Sequence, residues 1–288
     1  MPETVRIGVI GGSGLYQIEG LDIVDVADVP TPFGSPSATI TIANLEGTLV
    51  AFLPRHGAGH FISPSDINNR ANIYALKSLG VIEIISVSAC GSLKEELRPR
   101  DIVICDQLVD WTRRRMNTFF GDGIVAHISF ADPYCSRLST VLYQSTREED
   151  VPVHKDGTYI TMEGPQFSTR AESKIYQSLG LSVIGMTSAP EAKLAREAEL
   201  CYAVLACVTD YDVWHANEEV TIEMVLANLT HNIENVKKII RRVVRKLSAD
   251  NGDCSCRHAL KNAIITDPQL IPKKRKQDLN LIIGKYIS

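Results

Sequence analysis

The run Tyr202-Ala-Val-Leu-Ala-Cys-Val208 is apolar without interruption and gives way at Thr209 to polar residues. A strand with one wet face alternates apolar and polar side chains. A short continuous apolar run instead fits a strand covered on both faces. Such a strand belongs inside a sheet with helices on either side, which restricts the chain to α/β architectures. Two carboxylates, Asp210 and Asp212, follow at once, with only Tyr211 between them. In open α/β sheets ligands bind beyond the carboxyl ends of the strands. Residues two apart on an extended segment point to one side. The spacing therefore predicts two acids aimed into a crevice from one face of a strand end.

The same event recurs along the chain: a strand, then glycine or small hydroxyl residues, then a helix. Val5–Ile10 runs into Gly11-Gly-Ser-Gly14. Those glycines permit positive φ and close approach of backbone amides to an anion. The motif is neither the dinucleotide fingerprint, because Gln17 stands where a third glycine is needed, nor a P-loop. Thr39–Ala43 and Thr48–Leu53 predict a hairpin around Glu46-Gly47, and the second strand ends in Arg55-His56. Ser65 is placed as the cap of a helix that stops at Gly80. Val81–Val87 ends in Ser88-Ala-Cys-Gly-Ser92, and Val183–Met186 ends at Thr187. Ser168 with Glu172 marks one helix start, Pro190-Glu191 another, and Thr221 opens a long helix to about Leu247. Arg113-Arg-Arg115 reads as a solvated or interface face, and Lys273–Lys276 as solvated charge on a short helical tail.

Composition narrows the function classes. With 44% hydrophobic residues, 22% charged residues and a net charge of −4, the chain is an ordinary globular one with no basic balance pointing to nucleic acid. No apolar run is long enough to span a bilayer, and the first residues lack the pattern of a signal peptide, so a cytoplasmic protein is expected. Seven cysteines, several of them inside apolar runs, read as reduced buried thiols. Cys254-Ser-Cys256 invites a metal or redox reading. No second pair lies nearby at zinc-ligand spacing, so it too is placed among plain thiols, and no metal is expected.

Chemically, the strand ends fall into two sets. Ser13, Arg55, His56, Ser88 and Thr187 are donors suited to an oxyanion, and Arg55 offers a planar fork that matches phosphate. Asp210 and Asp212 are acceptors, or donors when protonated. An anion cradle opposite two carboxyls points to a substrate with a nitrogenous ring at one end and an oxyanion at the other. Taken singly, Asp-x-Asp also suits a turn or a divalent cation, and Arg-His a surface ion pair.

Nine motifs in order carry a resemblance: Gly11-Gly-Ser-Gly14, Thr31-Pro-Phe-Gly-Ser-Pro-Ser37, Arg55-His-Gly57, Asn72–Lys77, Ser88–Ser92, Glu163-Gly-Pro-Gln-Phe-Ser168, Gly185-Met-Thr187, Pro190-Glu191 and Thr209-Asp-Tyr-Asp212. Over roughly residues 5–230, with Cys254–Ala263 in addition, the chain resembles the 5′-methylthioadenosine phosphorylase branch of the trimeric purine nucleoside phosphorylase family. The resemblance implies one α/β domain over residues 1–288 (core about 5–247, polar and helical tail 248–288), around a central mixed, partly barrel-like β-sheet flanked by helices. It implies phosphorolysis of methylthioadenosine to adenine and 5-methylthioribose 1-phosphate. Inorganic phosphate is the co-substrate, with no cofactor and no metal, in a homotrimer or dimer of trimers.

By that resemblance Ser13, Arg55, His56, Ser88 and Thr187 hold phosphate, and Ala89, Gly91, Phe167 and Met186 border the nucleoside. Asp210 protonates purine N7, and Asp212 helps it read the 6-amino group. His127 comes from a neighbouring subunit over the 5′ substituent, whose apolar wall is Ile222, Val225 and Leu226. The family often has threonine where Ser13 and Ser88 stand; the hydroxyl survives. The alternatives are a phosphorylase for 6-oxopurine nucleosides, in which asparagine usually replaces Asp210, a nucleosidase that uses water, and a silent nucleoside-binding protein.

Overall fold

The computed structural model describes residues 5–12, 14, 15, 18–215, 221–250 and 252–287. Its strands are β1 (Ile7–Gly11), β2 (Asp22–Ala27), β3 (Ile40–Leu45), β4 (Thr48–Pro54), β5 (Glu83–Ser92), β6 (Ile102–Ile104), β7 (Gln107–Asp110), β8 (Val153–Lys155), β9 (Thr158–Thr161), β10 (Val183–Gly185) and β11 (Cys201–Asp210). Its helices are α1 (Asn69–Ser78), α2 (Ser136–Arg147), α3 (Arg170–Ser178), α4 (Ser188–Glu197), α5 (Ile222–Ala249), α6 (Lys273–Asp278) and α7 (Asn280–Ile283).

All ten residues of β11 are buried, as the apolar run requires. The side chains divide by parity. Tyr202, Val204, Ala206 and Val208 enter one core cluster, and Cys201, Ala203, Leu205 and Cys207 enter a second. A helix layer covers each face. On the second face lies α5, whose Val236, Ile239, Ile240, Val243, Val244 and Leu247 repeat at three- and four-residue spacing and form one buried stripe. Thr221 caps α5 as expected, its side chain accepting from the Met224 amide.

The strands form one mixed sheet, in which the path β2-β3-β4-β1-β5-β10-β9-β7 is joined by a branch through β11, β6 and β8. The branch point is β5. Its first half pairs in parallel with β1, nearly its whole length pairs in parallel with β11, and its last two residues pair antiparallel with β10. The carboxyl ends of β1, β4, β5, β10 and β11 are thereby drawn to one place. The hairpin turn between β3 and β4 is as read: Glu46 and Gly47 both have positive φ, the geometry of a two-residue hairpin loop.

Two caps move. Asn68, not Ser65, caps α1, and the Ser65 hydroxyl donates instead to the Glu163 carboxylate at 2.5 Å. Thr169, not Ser168, caps α3, because only the Thr169–Glu172 spacing closes a reciprocal capping box. The tail is more than solvated charge. Leu260, Ile271, Leu279, Ile282 and Ile283 pack into the same core cluster as the sheet. Among the described residues no helix is long and apolar enough to cross a membrane.

Candidate active site

The strand ends surround a cavity of about 420 Å³. Its walls include Gly12, Arg55, His56, Ser88, Ala89, Gly91, Phe167, Met186, Thr187, Asp210, Asp212, Val225 and Leu226, residues separated in the chain by more than 200 positions. Three expected members stand apart. Ser13 lies outside the described residues, although Gly12 and Gly14 on either side line the cavity. Ile222 shares a helix face with Val225 and Leu226, but in the first turn of α5, where it is 66% exposed outside the cavity; Leu229 and Ile233, deeper along the helix, complete the wall. His127 is exposed and does not line the cavity of its own chain.

The two acids meet, but not by strand alternation. β11 ends at Asp210 with a bulge between Val208 and Asp210. Asp212 already lies in a turn, with φ at +52°. The acids are joined by the Asp212 amide donating to Asp210 Oδ1 at 2.8 Å, a short side-chain-to-backbone turn that aspartate favours. Thr209 Oγ1 donates to Asp210 Oδ2 at 2.7 Å. Burial pushes both carboxyls above the ordinary range; the Thr209 hydroxyl and Asp212 amide oppose this at Asp210, as the Ser173 hydroxyl does at Asp212. Asp212 Oδ2 is buried and has no protein partner among the described residues. Gly91 leaves room for the pair: a Cβ there would stand 2.8 Å from Asp210 Oδ1.

The terminus of β11 is held from α5. Asn228 and Asn232, four apart on its buried face, donate to the carbonyls of Thr209 and Val208, at 2.8 and 2.9 Å. Two asparagines at i and i+4 on an otherwise apolar helix face were the available sequence signal for this contact.

At the opposite side Ser88 Oγ lies 2.9 Å from Thr187 Oγ1 and 2.8 Å from the Tyr159 hydroxyl, so three hydroxyls form a chain. His56 stacks on His60, and its Nδ1 lies 2.9 Å from the Ile62 carbonyl. Burial pulls its pKa down to about 4, so the ring is neutral at physiological pH.

Arg55 corrects the expectation of an open fork. Its Nε and Nη2 face the Glu191 carboxylate, Nη2 also donates to Ser86 Oγ at 2.7 Å, and Nη1 donates to the Val87 carbonyl at 3.0 Å. Burial lowers the pKa of the guanidinium, and the paired Glu191 charge outweighs that. Glu191 in turn accepts from the Tyr202 hydroxyl at 2.9 Å and from Ser86 Oγ at 3.1 Å. Arg55 therefore reaches the cavity with the remaining Nη1 edge and not bidentately.

Of the arginine triplet, Arg113 and Arg114 are exposed as read, but the Arg115 side chain is only 2% exposed. It donates to the carbonyls of Met186 and Ala189 and to Glu163, and so ties the end of β10 to the 163–167 loop. Nothing in a run of three arginines marks which one turns inward.

A crevice at converging strand ends, with hydroxyls on one side and two buried carboxyls on the other, is the setting in which the comparisons with known proteins are informative. The model of a family described as the phosphorylase superfamily matches residues 6–245. The chain belongs to that superfamily. It is 54% identical over 283 residues to the S-methyl-5′-thioadenosine phosphorylase of Geobacter sulfurreducens, covering 98% of this chain and 99% of the relative. Its fold superposes with a TM-score of 0.94 on a methylthioadenosine phosphorylase from an antarctic soil metagenomic library, at 45% identity, covering 97% and 99% of the two chains. The corresponding enzyme of Schistosoma mansoni, solved with adenine, gives 0.82 at 36% identity, covering 97% and 98%.

Within this superfamily member, Glu191, Tyr159, Arg115, Asn228 and Asn232 escaped sequence reasoning as site residues. Each acts through another residue and not on the cavity directly, and only the asparagine pair at i and i+4 leaves a local pattern.

Proposed function

We propose that this superfamily member cleaves 5′-methylthioadenosine with inorganic phosphate, releasing adenine and 5-methylthioribose 1-phosphate. The observation that carries the reading is the pair of buried carboxyls, Asp210 and Asp212, facing a hydroxyl-lined pocket across one cavity. The names of the full-length relatives support it.

Phosphate sits against Ser88, Thr187, the free edge of Arg55 and neutral His56, with Gly12 and Gly14 beside it. Its negative charge stabilises the ribosyl cation that forms as the C1′–N9 bond lengthens, and one of its oxygens then bonds to C1′. Adenine leaves with the electron pair of that bond. It is a poor anion, so N7 takes a proton from Asp210, which its desolvated position keeps protonated more readily than a surface aspartate. Asp212, whose carboxyl lines the cavity, accepts from the 6-amino group; a 6-oxo group would present an acceptor to an acceptor. Phe167 and Met186 pack on base and sugar, and Val225 and Leu226 receive the methylthio group.

His127 reaches such a pocket only from a second copy of the chain. The exposed Val125 and Ile265 beside it favour an interface there, in keeping with a homotrimer or a dimer of trimers. We read residues 1–288 as a single phosphorylase domain, because the tail packs into the same core as the sheet. The cytoplasm is its place on the composition and cysteine setting given above.

The test is adenine release from methylthioadenosine, adenosine and inosine, with and without phosphate. Phosphate-dependent turnover of methylthioadenosine is expected. Equal or faster inosine cleavage, or turnover undiminished without phosphate, overturns the reading.

A further inference from the structure

Far from the cavity, the fold gathers four cysteines that are scattered in the sequence. Cys135 precedes the first turn of α2, Cys201 opens β11, and beyond α5 Cys254 caps a short 3₁₀ turn that contains Cys256. Their four Sγ atoms all lie within 4.8 Å of one another, and Cys135 and Cys254 are 3.6 Å apart. Read in the sequence, Cys254-Ser-Cys256 had no second pair. The tertiary structure supplies one from residues more than fifty positions away on each count.

We propose that these four cysteines form a tetrathiolate site for a zinc ion. A zinc–sulfur bond of about 2.3 Å sets the edges of a tetrahedron at about 3.8 Å, so the sulfurs need to close by at most about 1 Å. The geometry distinguishes one centre from two disulfides. Two disulfides need only two short pairs, each near 2 Å, with no relation between them. Here all six distances are short together, as a shared central ion requires.

The surroundings suit the charge. Arg137 Nη2 lies 4.0 Å from Cys201 Sγ, and the positive charge of Arg196 acts on Cys256. Metal binding displaces the thiol protons, because the thiolate is the ligand. Binding is balanced as Zn²⁺ plus four thiols giving a dianionic Zn(SR)₄ centre and four protons. Three of the cysteines are buried and Cys254 is half-buried, which leaves an entry path. The remaining cysteines, Cys90, Cys105 and Cys207, are buried apart from the cluster, with thiols pushed up by burial.

The site would staple the chain leaving α5 to the first turn of α2 and to the amino end of β11, the strand whose other end carries Asp210. It is independent of the phosphorolysis reaction, in which no residue of the cluster takes part.

The test uses the untagged full-length protein, produced with zinc supplied, handled with a non-thiol reductant and exhaustively dialysed. Elemental analysis is expected to find about one zinc per chain, falling below about 0.1 in the C254S/C256S double variant. Protein produced with cobalt in place of zinc is expected to show the intense visible bands of tetrahedral cobalt tetrathiolate. Parent protein that retains no zinc after equilibration with excess metal overturns the proposal whether or not the variant folds. So does intact-mass analysis without reductant showing a loss of two or four mass units, which marks disulfides in place of metal ligands.

Discussion

Replacing Asp210 with asparagine separates chemistry from fold at this site, and the local geometry says why. The asparagine carbonyl can keep accepting from the Asp212 amide, now at 2.8 Å. The new amide nitrogen takes the position of Oδ2 and faces Thr209 Oγ1, now 2.7 Å away. That hydroxyl can accept from it and turn its own hydrogen to the Cys90 carbonyl at 3.2 Å. The contacts with the Asp212 amide and the Thr209 hydroxyl therefore survive, and no large unsatisfied-donor penalty is expected. Linkage gives the same sign. Burial raises the Asp210 pKa, so folding stability from this group is complete below the unfolded pKa and is lost as pH rises through the higher folded one. Asparagine has no such loss, and the variant is expected to be at least as stable as the parent at pH 8. Catalysis behaves differently, because asparagine cannot give N7 a proton. General acid catalysis contributes about 10²–10⁴-fold, or roughly 3–5 kcal/mol of barrier. The assay is kcat/KM for methylthioadenosine at saturating phosphate, across pH, beside a thermal melt of each protein. A fall of about 10²–10⁴ with an unchanged melt is expected, together with loss of the decline in rate that the parent shows as Asp210 ionises. Turnover within about fivefold of the parent, where at least a hundredfold loss is required, would refute the proton-donor role.

Other perturbations probe the surrounding parts. Glu191→Gln leaves the Arg55 guanidinium buried without its counter-charge, and a cost of about 3–5 kcal/mol is expected in denaturant melts; a change under about 1 kcal/mol would show that the pair is not a fold determinant. Gly91→Ala drives a methyl into Asp210 Oδ1, so activity is expected to fall much further than stability, as paired kinetics and melts will show. Ser88→Ala removes one donor of the hydroxyl chain and is expected to raise the phosphate KM by about tenfold while leaving nucleoside KM little changed, in line with one hydrogen bond. His56 is half-buried and neutral, with its pKa lowered from 6.5 to about 4 by burial, so its share of stability is complete above pH 6.5 and is lost as pH falls toward 4. The stability gap between the parent and His56→Gln, measured by denaturant melts, is expected to shift against the parent over that window.

What the sequence determined was local in origin. The unbroken run of β11, the two-residue hairpin turn, the cap and stripe of α5, and the small residues at strand ends each follow from side chains within a turn or two of one another. Those signals, with the nine ordered motifs, were enough for the α/β class, the family and most of the cavity wall. Tertiary structure alone decided which groups face which. Arg55 was legible as a member of the site, but its fork turns to Glu191, 136 residues away, because a buried guanidinium needs a counter-charge and the fold places one there. Asp210 and Asp212 were legible as a pair, but a bulge and a left-handed residue join them where simple alternation was expected. Arg115 could not be told from Arg113 and Arg114 until the ends of β9 and β10 were in place to receive it. The four cysteines meet only because α2, β11 and the segment after α5 pack together. Except at the aspartate pair, the interaction joins residues far apart in the chain, and burial, not sequence neighbourhood, selects the partner.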